Sequence, residues 1–104
     1  MRKYRDKLEI VYDILLAVSD GARKTHIMYK ANLSYKLLVS YLEEMINCEL
    51  VCLDNGLYIL TEGGKEFLSK AKLYFYLQER VRSETEKMNN EKNGLKQMLS
   101  LLQE

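Results

Sequence analysis

The sequence predicts a mainly α-helical chain with one small β-hairpin and a long C-terminal helix. Three observations carry that prediction. Apolar residues recur at helical spacing through the first half of the chain. Asn55-Gly56 stands between two short apolar runs, the strongest local signal for a hairpin. From Phe67 onward apolar residues return every seven positions, and the chain has no proline to break a helix.

The first helix is expected over Lys3 to Ser19. Leu8, Val11, Leu15 and Val18 share one face, Ile14 widens it, and Asp20-Gly21 ends the helix with a residue suited to the left-handed stop. A second, shorter helix is expected to start at Thr25 as N-cap, to carry Ile27, Met28 and Tyr29, and to end near Ala31-Asn32. Ser34 caps a third helix running to about Asn47. Its inward residues are Leu38, Leu42 and Met45, with Leu37, Tyr41 and Ile46 flanking. Tyr35, Lys36, Val39, Ser40, Glu43 and Glu44 are left outside.

A two-residue turn at Asn55-Gly56 pairs Leu53 with Tyr58 and Val51 with Leu60, which puts four apolar side chains on one face and predicts that this face meets the core. The opposite face carries Cys52, Asp54, Leu57 and Ile59. It is more apolar than a free hairpin needs, so another element or a partner chain is expected to cover part of it. Cys48 and Cys52 make no disulfide framework and are expected as two small buried hydrophobes.

Thr61 caps the last helix, which is expected to reach Gln103 and, at about 1.5 Å per residue, to be roughly 60–65 Å long. Phe67, Tyr74, Val81, Met88, Leu95 and Leu102 form one heptad position. Ala71, Gln78, Thr85, Lys92 and Leu99 form the other. The heptad keeps phase across Gly94, which favours one continuous helix over a stop at Asn93-Gly94. Such a stripe has no partner surface within one short chain, so a homodimer through this helix is expected. Polar residues at Gln78, Thr85 and Lys92 weaken the seam and penalise wrong registers. Gly63-Gly64 reads as backbone freedom at the helix start. The expected division is residues 1–61 for the head and 62–104 for the dimerisation helix.

Composition bounds the function. Apolar residues make up 47% and charged residues 30%, as in an ordinary folded chain. The longest apolar run, Ile14 to Val18, is far too short for a membrane span, and no secretory signal is visible, so a cytoplasmic protein is expected. The net charge of +1 is uneven: Met1 to Lys36 holds eight Lys/Arg against four Asp/Glu, and the remainder eight against eleven. A basic first third suits contact with phosphates. There is no glycine-rich phosphate loop, no paired His/Cys ligand set and no nucleophile motif, so neither an enzyme nor a cofactor is expected.

Helix, helix, helix, hairpin is the winged-helix arrangement, with the second and third helices as the helix-turn-helix and the hairpin as the wing. In such a module the N-terminal half of the third helix enters the major groove of double-stranded DNA. Candidate contacts are Asn32, Ser34, Tyr35, Lys36, Val39 and Ser40, with Arg23, Lys24, Thr25, His26 and Lys30 on the preceding helix and Asn55 at the wing tip. Ser34 and Thr25 also read as caps, and Tyr35 as a packing residue. Glu43, Glu44 and Asp54 repel phosphates, so binding dominated by backbone contacts, with little sequence reading, is expected.

Two runs carry a resemblance. Thr25-His26-Ile27-Met28-Tyr29-Lys30-Ala31-Asn32-Leu33-Ser34-Tyr35 resembles the helix-turn-helix of archaeal winged-helix proteins. Tyr58-Ile59-Leu60-Thr61-Glu62-Gly63-Gly64 resembles the wing end and following helix start. With the long terminal helix, the chain is similar to the Sulfolobus-type 10a family of small DNA-binding chromatin proteins, over about residues 6 to 72. The resemblance implies a homodimer held by an antiparallel coiled coil, with a winged-helix head at each end, in chromatin organisation or transcriptional regulation. The open alternatives are a sequence-specific regulator of the same fold and a protein-interaction winged helix that does not bind DNA.

Overall fold

The computed structural model describes residues 4–102. The Lys3 end of the expected first helix and the Gln103 end of the last lie outside them. The elements run α1 (Lys7–Val18), α2 (Lys24–Ala31), α3 (Tyr35–Asn47), β1 (Val51–Asp54), β2 (Leu57–Leu60) and α4 (Glu62–Leu102). The chain divides into two compact units, Met1–Ala71 and Lys72–Glu104. The division falls inside α4 rather than at residues 61/62, because the first turns of α4 bury Gly64, Leu68 and Ala71 in the first unit.

In the first unit α1 begins at Lys7, and the described residues before it are outside the helix. Asp6 is the N-cap, its carboxylate accepting from the Glu9 amide while the Glu9 side chain accepts from the Asp6 amide. This reciprocal cap satisfies two helix-end donors and sets the start. Ile14, Leu15 and Val18 of α1 pack with Ile27, Leu38 and Val51 in a fully buried centre. Leu8, expected inward, is 38% exposed, because the α1 stripe turns through Ile10 and Val11 instead.

α2 begins two residues earlier than expected. Arg23 occupies the N-cap position in extended backbone and makes no side-chain cap, so Thr25 lies within the first turn and caps nothing. The cause lies in the sheet: Ala22 forms an antiparallel bridge with Tyr58, its amide donating to the Tyr58 carbonyl at 3.0 Å and its carbonyl accepting in return at 2.8 Å. That bridge sets the entry angle of α2. At its other end Asn32 takes the left-handed conformation, φ 54°, which asparagine tolerates well.

The hairpin register pairs Val51 with Leu60 and Leu53 with Tyr58. Asn55 and Gly56 both have positive φ, 51° and 81°, as the tight turn requires. Val51 and Tyr58 are buried, but Leu53, expected to face the core, is 55% exposed. The core takes its cross-strand partner Tyr58 and Val51 two residues before it, and leaves Leu53 outside. On the other face Ile59 is half-buried, with its Cγ2 close to Gly21, whereas Leu57 stays exposed. Cys48 and Cys52 are free thiols and exposed, not buried: Cys48 is the C-cap of α3 and Cys52 sits on the outer hairpin face.

The junction of α3 with α4 is tightly clasped. The Thr61 hydroxyl accepts from the Gly64 amide at 2.9 Å and donates to the Glu49 carbonyl at 2.5 Å, and the Thr61 amide donates to the Leu50 carbonyl. A Cβ on Gly64 would stand 1.9 Å from the Leu50 oxygen. Gly64 is therefore required by close approach, and the expectation of mere backbone freedom is corrected.

In the second unit α4 continues through Gly94 without a break. Its charged residues pair along the helix: Arg82 bridges Glu79 and Glu86, and Lys87 pairs with Glu84. The two glutamates raise the pKa of Arg82, the Glu79 hydrogen bond first. Among the described residues no helix is long and apolar enough to cross a membrane.

Candidate nucleic-acid interface

Arg23 and Lys24 are neighbours in sequence but reach different elements. The Ala22–Tyr58 bridge holds Arg23 against the wing, where a Cβ on Gly56 would lie 3.1 Å from an Arg23 guanidinium nitrogen. Lys24, at the first position of α2, places its ammonium 5.5 Å from the centre of the Tyr35 ring at the first position of α3, within cation–π range. One basic dipeptide thus joins the wing turn to the start of the third helix. Asn55, at the tip of that turn, is exposed.

Ser34 caps α3 as expected, its hydroxyl accepting from the Leu37 amide at 3.2 Å. Tyr35, Lys36 and Ser40 are exposed, and Val39 is half-buried on the flank. Spacing of 36, 40 and 43 places Lys36, Ser40 and Glu43 on the face opposite buried Leu38, Leu42 and Met45. The N-terminus of α3 adds partial positive charge beside Lys36 and Tyr35. Thr25 and His26 are exposed on the first turn of α2, next to the basic pair.

Three residues are placed differently from the sequence reading. Lys30, although exposed, stands beside Asp13, Leu16 and Ala17 of α1, away from the α3 start. Asn32 forms the turn itself, and its carbonyl is held by Arg5. Glu44 does not share the outer face with Glu43: it pairs with Lys7 of α1 at 2.5 Å. That hydrogen bond and the attraction of the same carboxylate raise Lys7 above its ordinary 10.5. One of the three expected repulsive charges is thereby turned toward α1 and neutralised.

Arg5 escaped the sequence reading. Its guanidinium donates to the Ala31 carbonyl at 2.6 Å, the Asn32 carbonyl at 2.8 Å and the Asp13 carboxylate at 2.7 Å. It closes the C-terminus of α2 and so fixes the turn between the two helices. Nothing local in the sequence signals this, since its partners lie 26 and 27 positions away.

The heptad residues divide between the units. Phe67 and Ala71 pack in the first unit, Ala71 buried and Phe67 against the core. Tyr74, Val81, Met88, Leu95, Leu99 and Leu102 are exposed, as are Gln78, Thr85 and Lys92. Leu77, Val81, Thr85 and Met88 line one continuous strip, edged by Arg80, Glu84, Lys87 and Glu91.

Comparison with known proteins agrees with this geometry. An uncharacterised protein of Methanocaldococcus jannaschii, MJ0290, is 38% identical over 74 residues, covering 70% of this chain but only 35% of that protein. A second from the same organism, MJ0287, is 33% identical over 70 residues, covering 65% of this chain and 72% of that protein. The chain thus spans about a third of the length of the first relative and most of the second. Among solved structures, Sso10a-2, a DNA-binding protein from Sulfolobus solfataricus, matches with a TM-score of 0.72 at 24% identity, over 83% of this chain and 95% of that one. This likeness shows the same fold. The model of the winged helix-turn-helix family matches residues 4–79, through α1, the helix-turn-helix, the wing and the first turns of α4, and the chain belongs to that family.

Proposed function

We propose that this chain is a dimeric winged-helix protein that binds double-stranded DNA mainly through its phosphates, in an architectural, chromatin-organising role. The observation that carries the reading is the Arg23-Lys24 pair, which sets positive charge between the wing turn and the start of α3. Base-reading side chains are few: Lys36 and Ser40 on the outer face, with Tyr35 engaged by Lys24. Phosphate contacts position a protein without specifying sequence, and they make affinity fall steeply with salt.

Dimerisation supplies the second half of the mechanism. A parallel pairing of α4 would set Lys92 against the partner's Lys92, whereas an antiparallel pairing sets each polar position of the stripe against an apolar one. Like charges directly opposed across a seam are unfavourable, so the antiparallel order is favoured. It carries one head at each end of the pair, able to bridge two duplexes or grip one at separated sites.

The test is a salt titration of binding to mixed-sequence duplexes. The expected result is a steep log–log fall with salt, little preference among sequences, and a loss of tenfold or more for Lys24→Glu with Lys36→Glu. A site retained against excess unrelated DNA would indicate a sequence-specific regulator instead. The exposed carboxylates of Glu43 and Asp54 favour a second reading, a winged helix that binds protein; no measurable duplex binding at low salt, with or without the lysine substitutions, would favour that one.

A further inference from the structure

The wing has no cation of its own. From Val51 to Leu60 the hairpin holds neither lysine nor arginine, and Asp54 stands beside its turn. The positive charge at the turn comes from outside the hairpin, from Arg23. The backbone of Arg23 is fixed from both sides. Before it, Ala22 and Tyr58 exchange two hydrogen bonds, and at α2 the Ile27 amide donates to the Arg23 carbonyl at 3.0 Å. The guanidinium reaches the turn at Gly56, where the missing side chain leaves it room.

Arg23 is also uncommitted. Among the described residues of the first unit the arginines are Arg5 and Arg23. Arg5, only 13% exposed, is held by Asp13 and two backbone carbonyls. Arg23 is exposed, caps nothing and has no ion pair among the described residues. Its neighbour Lys24 goes the other way, to the Tyr35 ring at the start of α3. With the start of α3 in the major groove, Lys24 stands at the lip of that groove, and Arg23 stands with the wing on the far side of the phosphate strand. The groove on that side is the minor one. At about 6 Å wide it admits one long side chain more readily than a two-stranded hairpin.

We infer that Arg23 is a specificity-determining residue: it enters the minor groove beside the wing turn and favours duplexes in which that groove is narrow, as in A·T tracts. The inference rests on the duplex-DNA reading proposed above. A narrow minor groove concentrates negative potential and attracts an inserted cation. A guanidinium is more weakly hydrated than an ammonium, so arginine enters such a groove at less cost than lysine. The preference is for groove shape and not for a site, so duplexes of mixed sequence average it out.

The test measures binding of the full chain to three duplexes of equal length. One contains A·T tracts, one has G·C pairs in their place, and one has inosine·C pairs there. Inosine lacks the amino group that guanine sets in the minor groove, while its major-groove edge matches that of guanine. The wild type is expected to bind the A·T and inosine duplexes several-fold more tightly than the G·C duplex. Arg23→Lys keeps the charge and is expected to bring the three affinities together, by weakening the first two more than the third. Arg23→Gln should do the same at lower affinity throughout. Equal wild-type affinity for all three, or an inosine duplex that behaves like G·C, overturns the inference while the duplex reading stands. A preference that survives Arg23→Gln overturns it too. So does an equal loss on all three duplexes in Arg23→Lys, which would make Arg23 a phosphate contact. Wild type that binds none of them removes both readings. The Arg23 side chain makes no cap, so neither substitution disturbs the start of α2.

Discussion

Gly64 and Gly94 lie in the same helix and meet opposite surroundings. A methyl group on Gly64 would collide with the Leu50 carbonyl, whereas one on Gly94 meets nothing within 4 Å. The contrast holds for the two units as a whole. In the first, apolar residues at helical spacing find partners within the chain and, among the described residues, leave no buried charge. In the second, residues just as regularly spaced remain exposed. Periodicity states only that a face will be buried; whether the chain or a second copy buries it depends on what lies within reach.

Replacing each glycine by alanine sharpens that difference. Gly64→Ala is expected to produce the largest effect, a loss of about 3 kcal/mol from the first unit, at the upper end for forced overpacking. Denaturant unfolding followed by tyrosine fluorescence reads it, and an unchanged midpoint would mean that the α3–α4 clasp yields easily. Next comes Val81→Glu with Met88→Glu, which buries charge in any seam and is expected to convert dimer to monomer in sedimentation equilibrium at micromolar concentration, with the head still folded. If the head unfolds as well, the two units are not independent. Gly94→Ala should act in the opposite sense to Gly64→Ala, stabilising α4 by about 1 kcal/mol, because alanine restricts the unfolded chain and favours helix. A higher melting temperature of the protein is the expected readout.

The smallest effect is electrostatic. Lys7 is raised above its ordinary 10.5 by Glu44. Its pairing therefore contributes fully below pH 10.5 and is lost as pH climbs through the higher folded value. Because the pair is exposed, the contribution is small and screened by salt. Wild type and Glu44→Gln should differ by a constant margin from about pH 6 to 9 (a range well below the Lys7 titration) and converge above it. A difference that varied across the neutral range would point to another group.

Much of the candidate interface was legible in the sequence because its signals are local. Ser34 before an apolar run marks the start of α3, and Asn55-Gly56 fixes both the wing turn and the register of its strands. Exposure of Lys36 and Ser40 follows from the helical period alone. What was misread depends on distant partners. Thr25 looks like a cap until the Ala22–Tyr58 bridge moves the start of α2, and Glu44 looks like a free repulsive charge until Lys7 comes from α1 to meet it. Leu53 and the two cysteines were assigned inward by composition and pairing, yet all three are exposed: Cys48 caps the end of α3, Cys52 sits on the outer hairpin face, and the core takes Tyr58 rather than Leu53.

By itself the sequence determined the order of elements, the hairpin register, the continuous last helix and the stripe along it, since each arises from backbone preference and from spacing between near neighbours. Tertiary structure alone decided that Arg5 closes the helix-turn-helix, that Arg23 lies on the wing turn, and that Gly64 admits no side chain. Those facts depend on contacts between segments far apart in the chain. No local propensity encodes such contacts, because they exist only once the core around Ile14, Ile27 and Leu38 has closed.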